Sequence, residues 1–226
     1  MSNLLGLLLP LGIGAALSPT PTATCLMLLS TNRKPLATAI AFLIGSSAAL
    51  VAVGVFSLAF FGGGGSEDTN HPSDVKNTID VVFGSFFLIL AFKLWLKVPD
   101  PNAPPPSWAA KIGSVGMGKA LLFGTMMTIT NFSSLPLYLS GLKDIVTANI
   151  GIADGIVVLA VFVLFIEVAL IVPIASYALA PRRAGVVLST ILGWIEKNTR
   201  LVSIFVFVVF GGLLLVKGIA GFGGNP

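Results

Sequence analysis

The sequence predicts an all-α integral membrane protein with six transmembrane helices, arranged as two inverted three-helix repeats with broken helices 1 and 4. Three observations lead to this prediction. Of the 226 residues, 55% are hydrophobic and only 10% are charged, and the mean hydropathy is +0.99, whereas soluble domains carry about 25% charged residues. Six apolar stretches reach the roughly 20 residues that a spanning helix needs. The two halves of the chain also share short matches in the same order.

The apolar stretches divide the chain into two groups of three. Between the groups, the Pro-rich segment 98–116 is too polar and too broken to span, and it predicts a cytoplasmic linker. Residues 1–97 then form a first three-helix repeat and residues 117–226 a second. Apolar residues recur at helical spacing over about 185–197, which predicts a helix lying in the membrane interface. The predicted spans are about 4–30, 36–61, 77–96, 117–142, 151–180 and 201–219.

Lysine and arginine residues determine the predicted orientation. If the N-terminus lies outside, ten of the 13 basic residues fall on the inner side of the membrane and three on the outer side. The cytoplasmic loops of membrane proteins carry this excess of positive charge. We therefore expect a multi-pass protein with both termini outside.

The internal matches predict that the two halves are inverted copies. Ser18–Pro21 matches Ser133–Pro136, and the second span aligns with the fifth without a gap, so that Ser47 falls on Glu167. The tripeptide Lys-Asn-Thr stands before both the third and the sixth spans. Three spans per repeat give the copies opposite orientations, as in many secondary transporters. The alternative is that apolar helices align through composition alone.

The first span is interrupted by the sequence Ser-Pro-Thr-Pro. Its prolines lack the backbone N–H that a helix requires, and polar groups freed in hydrocarbon are costly unless they find partners. Interrupted spans in corresponding positions of two halves indicate a transporter's binding site, and hydroxyl groups can also bind a sugar or phosphate. The alternative for each residue is helix packing through small polar side chains. The predicted substrate-binding residues are Ser18, Pro19, Thr20, Pro21, Thr24, Ser47, Asn131, Ser133, Ser134 and Pro136.

Glu167 is the predicted proton-coupling residue. It lies near the centre of the fifth span among apolar neighbours, where a carboxylate is costly and should face the bundle interior or water. There it could take up and release a proton, or bind a polar head group. The alternative is a protonated glutamic acid that only forms a hydrogen bond between helices. A second acidic residue, Asp80, is expected to pair with Lys76, one turn earlier.

Reactive residues are scarce, and this excludes several classes of function. The chain has one cysteine and one histidine, which rules out an internal disulfide, a thiol relay and metal clusters built from those residues. We find no nucleophile–base pair and no paired carboxylates in one region. The basic residues form no patch that would bind nucleic acid. We therefore expect no enzyme activity, no catalytic residue, no cofactor, no metal site and no nucleic-acid partner.

Several segments resemble a known family. The Ser-Pro-Thr-Pro break, Leu26–Ser30 and Ala41–Gly45 are similar to the first half of the GAP, or sulfolipid-addressing protein (SfLAP), family of the lysine-exporter (LysE) superfamily, and Asn131 and Trp194–Asn198 fit its second half. The resemblance covers nearly the whole chain. It implies six spans in two inverted repeats, in the inner (plasma) membrane of actinobacteria. One departure is Phe132–Ser134 after the asparagine, where similar proteins carry a proline followed by a basic residue.

The resemblance also implies a function in the cell envelope. We expect a secondary transporter that exports a glycolipid or a related amphipathic lipid, with proton coupling through Glu167 as a hypothesis. Its partners would be membrane lipids and the lipid or glycolipid substrate. A homodimer and a larger lipid-export complex are both compatible with the sequence. Two alternatives stay open: a small-solute exporter of the amino-acid type, and a non-transporting membrane subunit that scaffolds a lipid synthase or a larger transport complex.

Overall fold

The computed structural model describes residues 2–61, 72–97, 109–148 and 150–223, and within these ranges the fold is all-helical. Most of the predicted linker 98–116 lies outside them, and its described end forms a 3₁₀ helix at Ala109–Ser114. The α-helices are α1 (Ser2–Ala16), α2 (Pro19–Thr31), α3 (Pro35–Phe61), α4 (Pro72–Leu96), α5 (Met117–Ile129), α6 (Leu135–Thr147), α7 (Ile152–Leu179) and α8 (Pro181–Gly223).

Among the described residues, four helices are long and apolar enough to cross a membrane, namely α3, α4, α7 and α8. Helices α1 and α2 together form a fifth candidate span, bent by 56° at their break. By helix length and composition, the chain is thus a multi-pass membrane protein. The predicted span 117–142 is instead divided between α5 and α6, with 13 residues each. A helix of that length rises about 20 Å, less than the roughly 30 Å of the hydrocarbon core, so neither crosses alone.

Both interruptions that the sequence predicts are present. Helix α1 ends at Ala16 and α2 begins at Pro19, and Ser18 between them has an extended backbone with φ −62° and ψ 118°. The second break covers 130–134, and Pro136 lies in the first turn of α6. Proline is tolerated in a first turn because the N–H that it lacks would have no helical partner there. The prolines therefore begin new half-helices.

The last helix joins two of the predicted segments. Helix α8 runs from Pro181 to Gly223 and contains both a short apolar helical segment, Val186–Ile195, and a candidate span, Lys197–Phe222. No proline follows Pro181 within α8 to interrupt the backbone hydrogen bonds. Its 43 residues rise about 65 Å, roughly twice the thickness of the hydrocarbon core, so only part of α8 can cross. The interfacial position of 185–197 stays a prediction.

Glycine residues bring the backbones of α3 and α5 into contact. A Cβ atom on Gly45 of α3 would overlap the backbone oxygen of Leu121, and a Cβ atom on Gly124 of α5 would overlap the backbone oxygen of Phe42. Small residues at helix interfaces permit such close approach in membranes. The short helix α5 is thereby held against a helix long enough to span.

Helix α6 is anchored to α3 and α7 by a buried tyrosine. The ring of Tyr138 stacks on Phe162 of α7, with ring centroids 5.8 Å apart. Its hydroxyl donates to the carbonyl of Leu50 in α3 at 2.6 Å. Both rings are fully buried, so this contact fixes α6 one turn beyond the second break.

Farther along α6, an ion cluster joins this helix to α4 and α8; we define it as Asp80, Lys143, Asp144 and Lys217. Lys143 Nζ lies 2.5 Å from Asp80 Oδ2, and Lys217 Nζ lies 2.6 Å from Asp144 Oδ2. Ser140 Oγ donates to Asp80 Oδ1 at 2.8 Å. Both aspartates are buried, and buried charges persist in proteins when they are paired. Two carboxylates and two ammonium groups balance within the cluster.

We expect Gly124→Ala to destabilise the protein by about 1–3 kcal/mol, because an added methyl group overpacks a closed helix interface. The control is Gly118→Ala in the same helix, where a Cβ atom meets open space. Thermal unfolding of both variants in detergent measures the difference. Equal unfolding midpoints would contradict the α3–α5 backbone contact.

We expect Asp80→Asn to lower stability by about 3 kcal/mol, since Lys143 and Lys217 then share the single carboxylate of Asp144 and one buried positive charge is left uncompensated. The double variant Asp80→Leu with Lys143→Met should recover part of that loss, because no buried charge is then left without its partner. Exposed Asp154 of α7 provides the control, as Asp154→Asn. Detergent unfolding curves that coincide for Asp80→Asn and the control would refute a stabilising role for the ion cluster.

Candidate functional site

The two helix breaks lie against each other and are joined by one hydrogen-bond network; we call Ser18, Asn131, Ser133 and Ser134 the break network. Asn131 Nδ2 donates to Ser18 Oγ at 3.0 Å and to Ser134 Oγ at 3.1 Å. Ser133 Oγ donates to Asn131 Oδ1 at 2.6 Å and lies 2.7 Å from Ser18 Oγ. Ser134 Oγ donates to the carbonyl of Ala15 at 2.8 Å. The α1–α2 break is thus bonded directly to the α5–α6 break.

The sequence explains why Ala15 needs a partner from the other break. In a continuous helix its carbonyl would accept a hydrogen bond from the N–H of residue 19, but Pro19 has none. The Ser134 hydroxyl supplies a donor instead, and the Ser18 N–H supplies a second at 3.3 Å. When Ser18 donates to Ser133, every polar hydrogen of the four side chains in the break network is used. In this arrangement those side chains have acceptor capacity left but no free donor.

Glu167 of α7 lies beside the break network and is 2% exposed. Ser46 Oγ of α3 donates to Glu167 Oε1 at 2.6 Å and lies 2.8 Å from Thr128 Oγ1 of α5. The other carboxyl oxygen, Oε2, is buried and has no hydrogen-bond partner in the described part of the chain. A buried acceptor without a donor is costly and calls for a partner. Oε2 is therefore open to a proton or to a donor group of a ligand.

A small polar cavity lies between Glu167 and the break network. Its volume is about 30 Å³, which is room for about two water molecules at roughly 10–15 Å³ each. In this conformation the cavity is too small for a sugar ring. The polar side chains that line it are those of Ser18, Thr22, Ser46, Thr128, Asn131, Ser134, Tyr138 and Glu167.

The structure brings five of the eleven predicted site residues to this polar cavity. Those that line it are Ser18, Pro21, Asn131, Ser134 and Glu167. Those that do not are Pro19, Thr20, Thr24, Ser47, Ser133 and Pro136.

The predicted residues outside the cavity have other surroundings. Ser133 belongs to the break network, and Pro19 borders an apolar cavity next to the polar one. Thr24 Oγ1 donates to the Thr20 carbonyl at 2.9 Å, within its own helix. Pro136 is buried in the first turn of α6. These residues thus shape the breaks without lining the polar cavity.

Sequence reasoning missed Ser46, which donates to Glu167. The alignment of the second and fifth spans makes Ser47 the counterpart of Glu167, but neighbouring residues on a helix point about 100° apart, and Ser47 is only half-buried here. Thr22 and Thr128 were missed as well. The run of small residues Gly45–Ala49 predicts that this face of α3 packs closely against another helix. It does not predict which of its two serines faces α7.

Two apolar cavities adjoin the polar one. The smaller, of about 180 Å³, shares Ser18, Thr22 and Ala169 with it. The larger, of about 540 Å³, lies between α2, α7 and α8 and shares Thr22 and Ala169. The site therefore combines polar groups with adjoining apolar space, an arrangement that matches an amphipathic molecule.

Comparison with known proteins identifies the family. No curated protein and no solved structure gives a significant match. The family model described as Sap, sulfolipid-1-addressing protein, matches residues 8–220, which include both helix breaks, Glu167 and the ion cluster. The resemblance stated from the sequence is thereby confirmed, and the chain belongs to the sulfolipid-1-addressing protein (SfLAP) family.

Proposed function

We propose that this protein is a secondary transporter that moves a glycolipid of the cell envelope, or a related amphipathic lipid, across the inner membrane without catalysing a chemical reaction. The name of its family refers to the addressing of a sulfolipid. The observation that carries the proposal is the polar cavity at the meeting of two broken helices, with apolar cavities directly beside it.

The helix contacts support an arrangement as two inverted repeats. In this arrangement α1–α2, α3 and α4 correspond to α5–α6, α7 and α8. The contact of α3 with α5 then corresponds to that of α7 with α1, and the contact of α2 with α8 to that of α6 with α4. Helix α4 packs against its own counterpart, α8. Under this proposal α5 and α6 together complete a sixth span, and the excess of inner basic residues puts both termini outside.

The break network is proposed to bind the polar head group by exchanging hydrogen bonds. Its contacts between the breaks, such as Asn131 with Ser18 and Ser134 with Ala15, hold the cavity closed. Each bond contributes only about 1 kcal/mol net, so a sugar with several hydroxyl groups can replace them. The head group would then lie between the two breaks, and the half-helices would separate to admit it.

Glu167 is proposed to couple lipid binding to a proton. An ionised carboxylate accepts hydrogen bonds, and its buried Oε2 atom is open to a donor such as a head-group hydroxyl. A proton on the same oxygen would compete with that donor. Proton binding and lipid binding would therefore oppose each other, so that entry of a proton would accompany exit of the lipid. Such an exchange uses the inward proton gradient as its energy source.

We expect Glu167→Gln to bind lipid but to lose the dependence of transport on a pH gradient, because the amide keeps the shape of the acid and an acceptor oxygen but cannot take up or release a proton. Transport of a fluorescent glycolipid in proteoliposomes, with and without a gradient, measures this. Asp154→Asn, on the exposed start of the same helix, should behave as the unmodified protein. A Glu167→Gln variant with unchanged gradient dependence would remove the coupling role.

We expect Asn131→Ala to reduce binding of the same glycolipid about tenfold, since two lost donors amount to roughly 1.4 kcal/mol or more. Native mass spectrometry of the purified protein measures lipid occupancy. The control is Thr130→Ala, the preceding exposed residue, whose hydroxyl donates to the Met126 carbonyl. Equal occupancy in both variants would contradict head-group binding at the breaks. A protein that neither binds nor transports lipid, and that co-purifies with a lipid synthase, would be a scaffolding subunit instead.

A further inference from the structure

A large apolar groove opens beside the polar cavity, between α2, α7 and α8. Its volume is about 540 Å³, within the range of about 300–1,000 Å³ typical of small-molecule sites. Leu26 and Leu188 form part of its buried wall. Val172 and Ile191 line it as well and are 56% and 42% exposed, so the groove is open to the outer surface of the helix bundle. We expect this opening to lie where the hydrocarbon of the bilayer meets the interface, since α7 is a candidate span and residues 185–197 of α8 are predicted to lie in the interface.

The groove and the polar cavity meet at two residues that line both of them. Thr22 of α2 and Ala169 of α7 line the polar cavity, the groove and the smaller apolar cavity of about 180 Å³. The smaller cavity extends toward α8, where Trp194 and Val202 line it. The Thr22 hydroxyl donates to the Ser18 carbonyl of its own helix at 3.2 Å, so this junction leaves no hydroxyl that requires a partner. A single molecule can therefore lie in polar and apolar space at once.

We infer that the groove and the smaller apolar cavity are an acyl-chain site, which holds the chains of the same lipid whose head group enters the polar cavity. This inference rests on the proposed function. The occupant follows from the geometry, because apolar space that meets a polar cavity at a shared junction fits a molecule with one polar and one apolar part. The exposed groove residues give the chains a way in from the side, within the bilayer plane.

The acyl-chain site fixes the position of the lipid chains and contributes little to the binding affinity for the lipid. Bilayer chains are as apolar as leucine side chains, so a chain that moves from lipid into the groove gains little hydrophobic free energy. The head group therefore supplies most of the binding, and the groove determines which chain shapes can accompany it. The chains also stay out of water while the head group occupies the interior.

Photo-crosslinking tests the acyl-chain site. The purified protein is incubated with a glycolipid that carries a diazirine in one acyl chain, and labelled peptides are mapped with and without excess unlabelled glycolipid. We expect labelling of α2, α7 and α8 at the groove that the competitor removes, and labelling elsewhere that it does not remove. Phosphatidylethanolamine with the same diazirine chain should give only labelling that the competitor does not remove.

Substitutions at the junction sharpen the test. Ala169→Phe fills the junction and should lower the competed labelling about tenfold, a change of ~1.4 kcal/mol in binding. Val172→Trp, at an exposed groove position, should lower it as well and does not disturb the buried interior. Leu164→Phe is the control, since Leu164 lies on the same helix, is 57% exposed and does not line the groove.

Each outcome has one meaning. Competed labelling that is absent from the groove, or unchanged in both groove variants, overturns the acyl-chain site. If glycolipid occupancy then still depends on Asn131, the proposed function survives that failure. Equal competed labelling by phosphatidylethanolamine assigns the groove to ordinary bilayer lipid and overturns the inference. A protein that binds no glycolipid at all would contradict the proposed function itself.

Discussion

The carbonyl of Ala15 is the constraint on which the site depends. Pro19 removes its helical donor, and a bilayer offers no water to replace it. The Ser134 hydroxyl from the other half of the chain meets this need, and in doing so it holds the two breaks together. The polar cavity lies where a side chain of the second break satisfies a backbone carbonyl of the first. Because this backbone carbonyl needs a hydrogen-bond donor, hydroxyl and amide side chains lie inside the protein.

Helix α6 carries polar contacts along its whole length. Ser134 directly precedes α6 and belongs to the break network, and Tyr138 reaches the Leu50 carbonyl a turn later. Beyond it, Ser140, Lys143 and Asp144 contact α4 and α8. A 13-residue helix is too short to be held in a membrane by its own length. Hydrogen bonds and ion pairs to three other helices fix it instead, and so they also fix the second break.

The sequence predicted the features that depend on neighbouring residues, but not the contacts between residues far apart in the chain. The prolines predicted both helix breaks, and the apolar neighbours of Glu167 predicted its burial. The sequence did not identify Ser46 over Ser47, since both suit the same small-residue face. Asp80 was expected to pair with Lys76, whose side chain lies outside the described residues. Its described partners are Lys143 and Lys217, from helices 60 or more positions away, which local spacing cannot reveal.

The glycine contact between α3 and α5 has a consequence for the hydrogen bonds around Glu167. Gly45 immediately precedes Ser46, and Gly124 stands one turn before Thr128, so the missing side chains let two short hydroxyls come within 2.8 Å. Serine has one carbon between backbone and oxygen, and a wider gap between the helices would exceed its reach. The spacing of these two backbones therefore decides whether Thr128 reaches Ser46, the serine whose hydroxyl donates to Glu167. Any movement that parts α3 from α5 would break the chain of hydroxyl groups that runs from α5 through α3 to this carboxyl group.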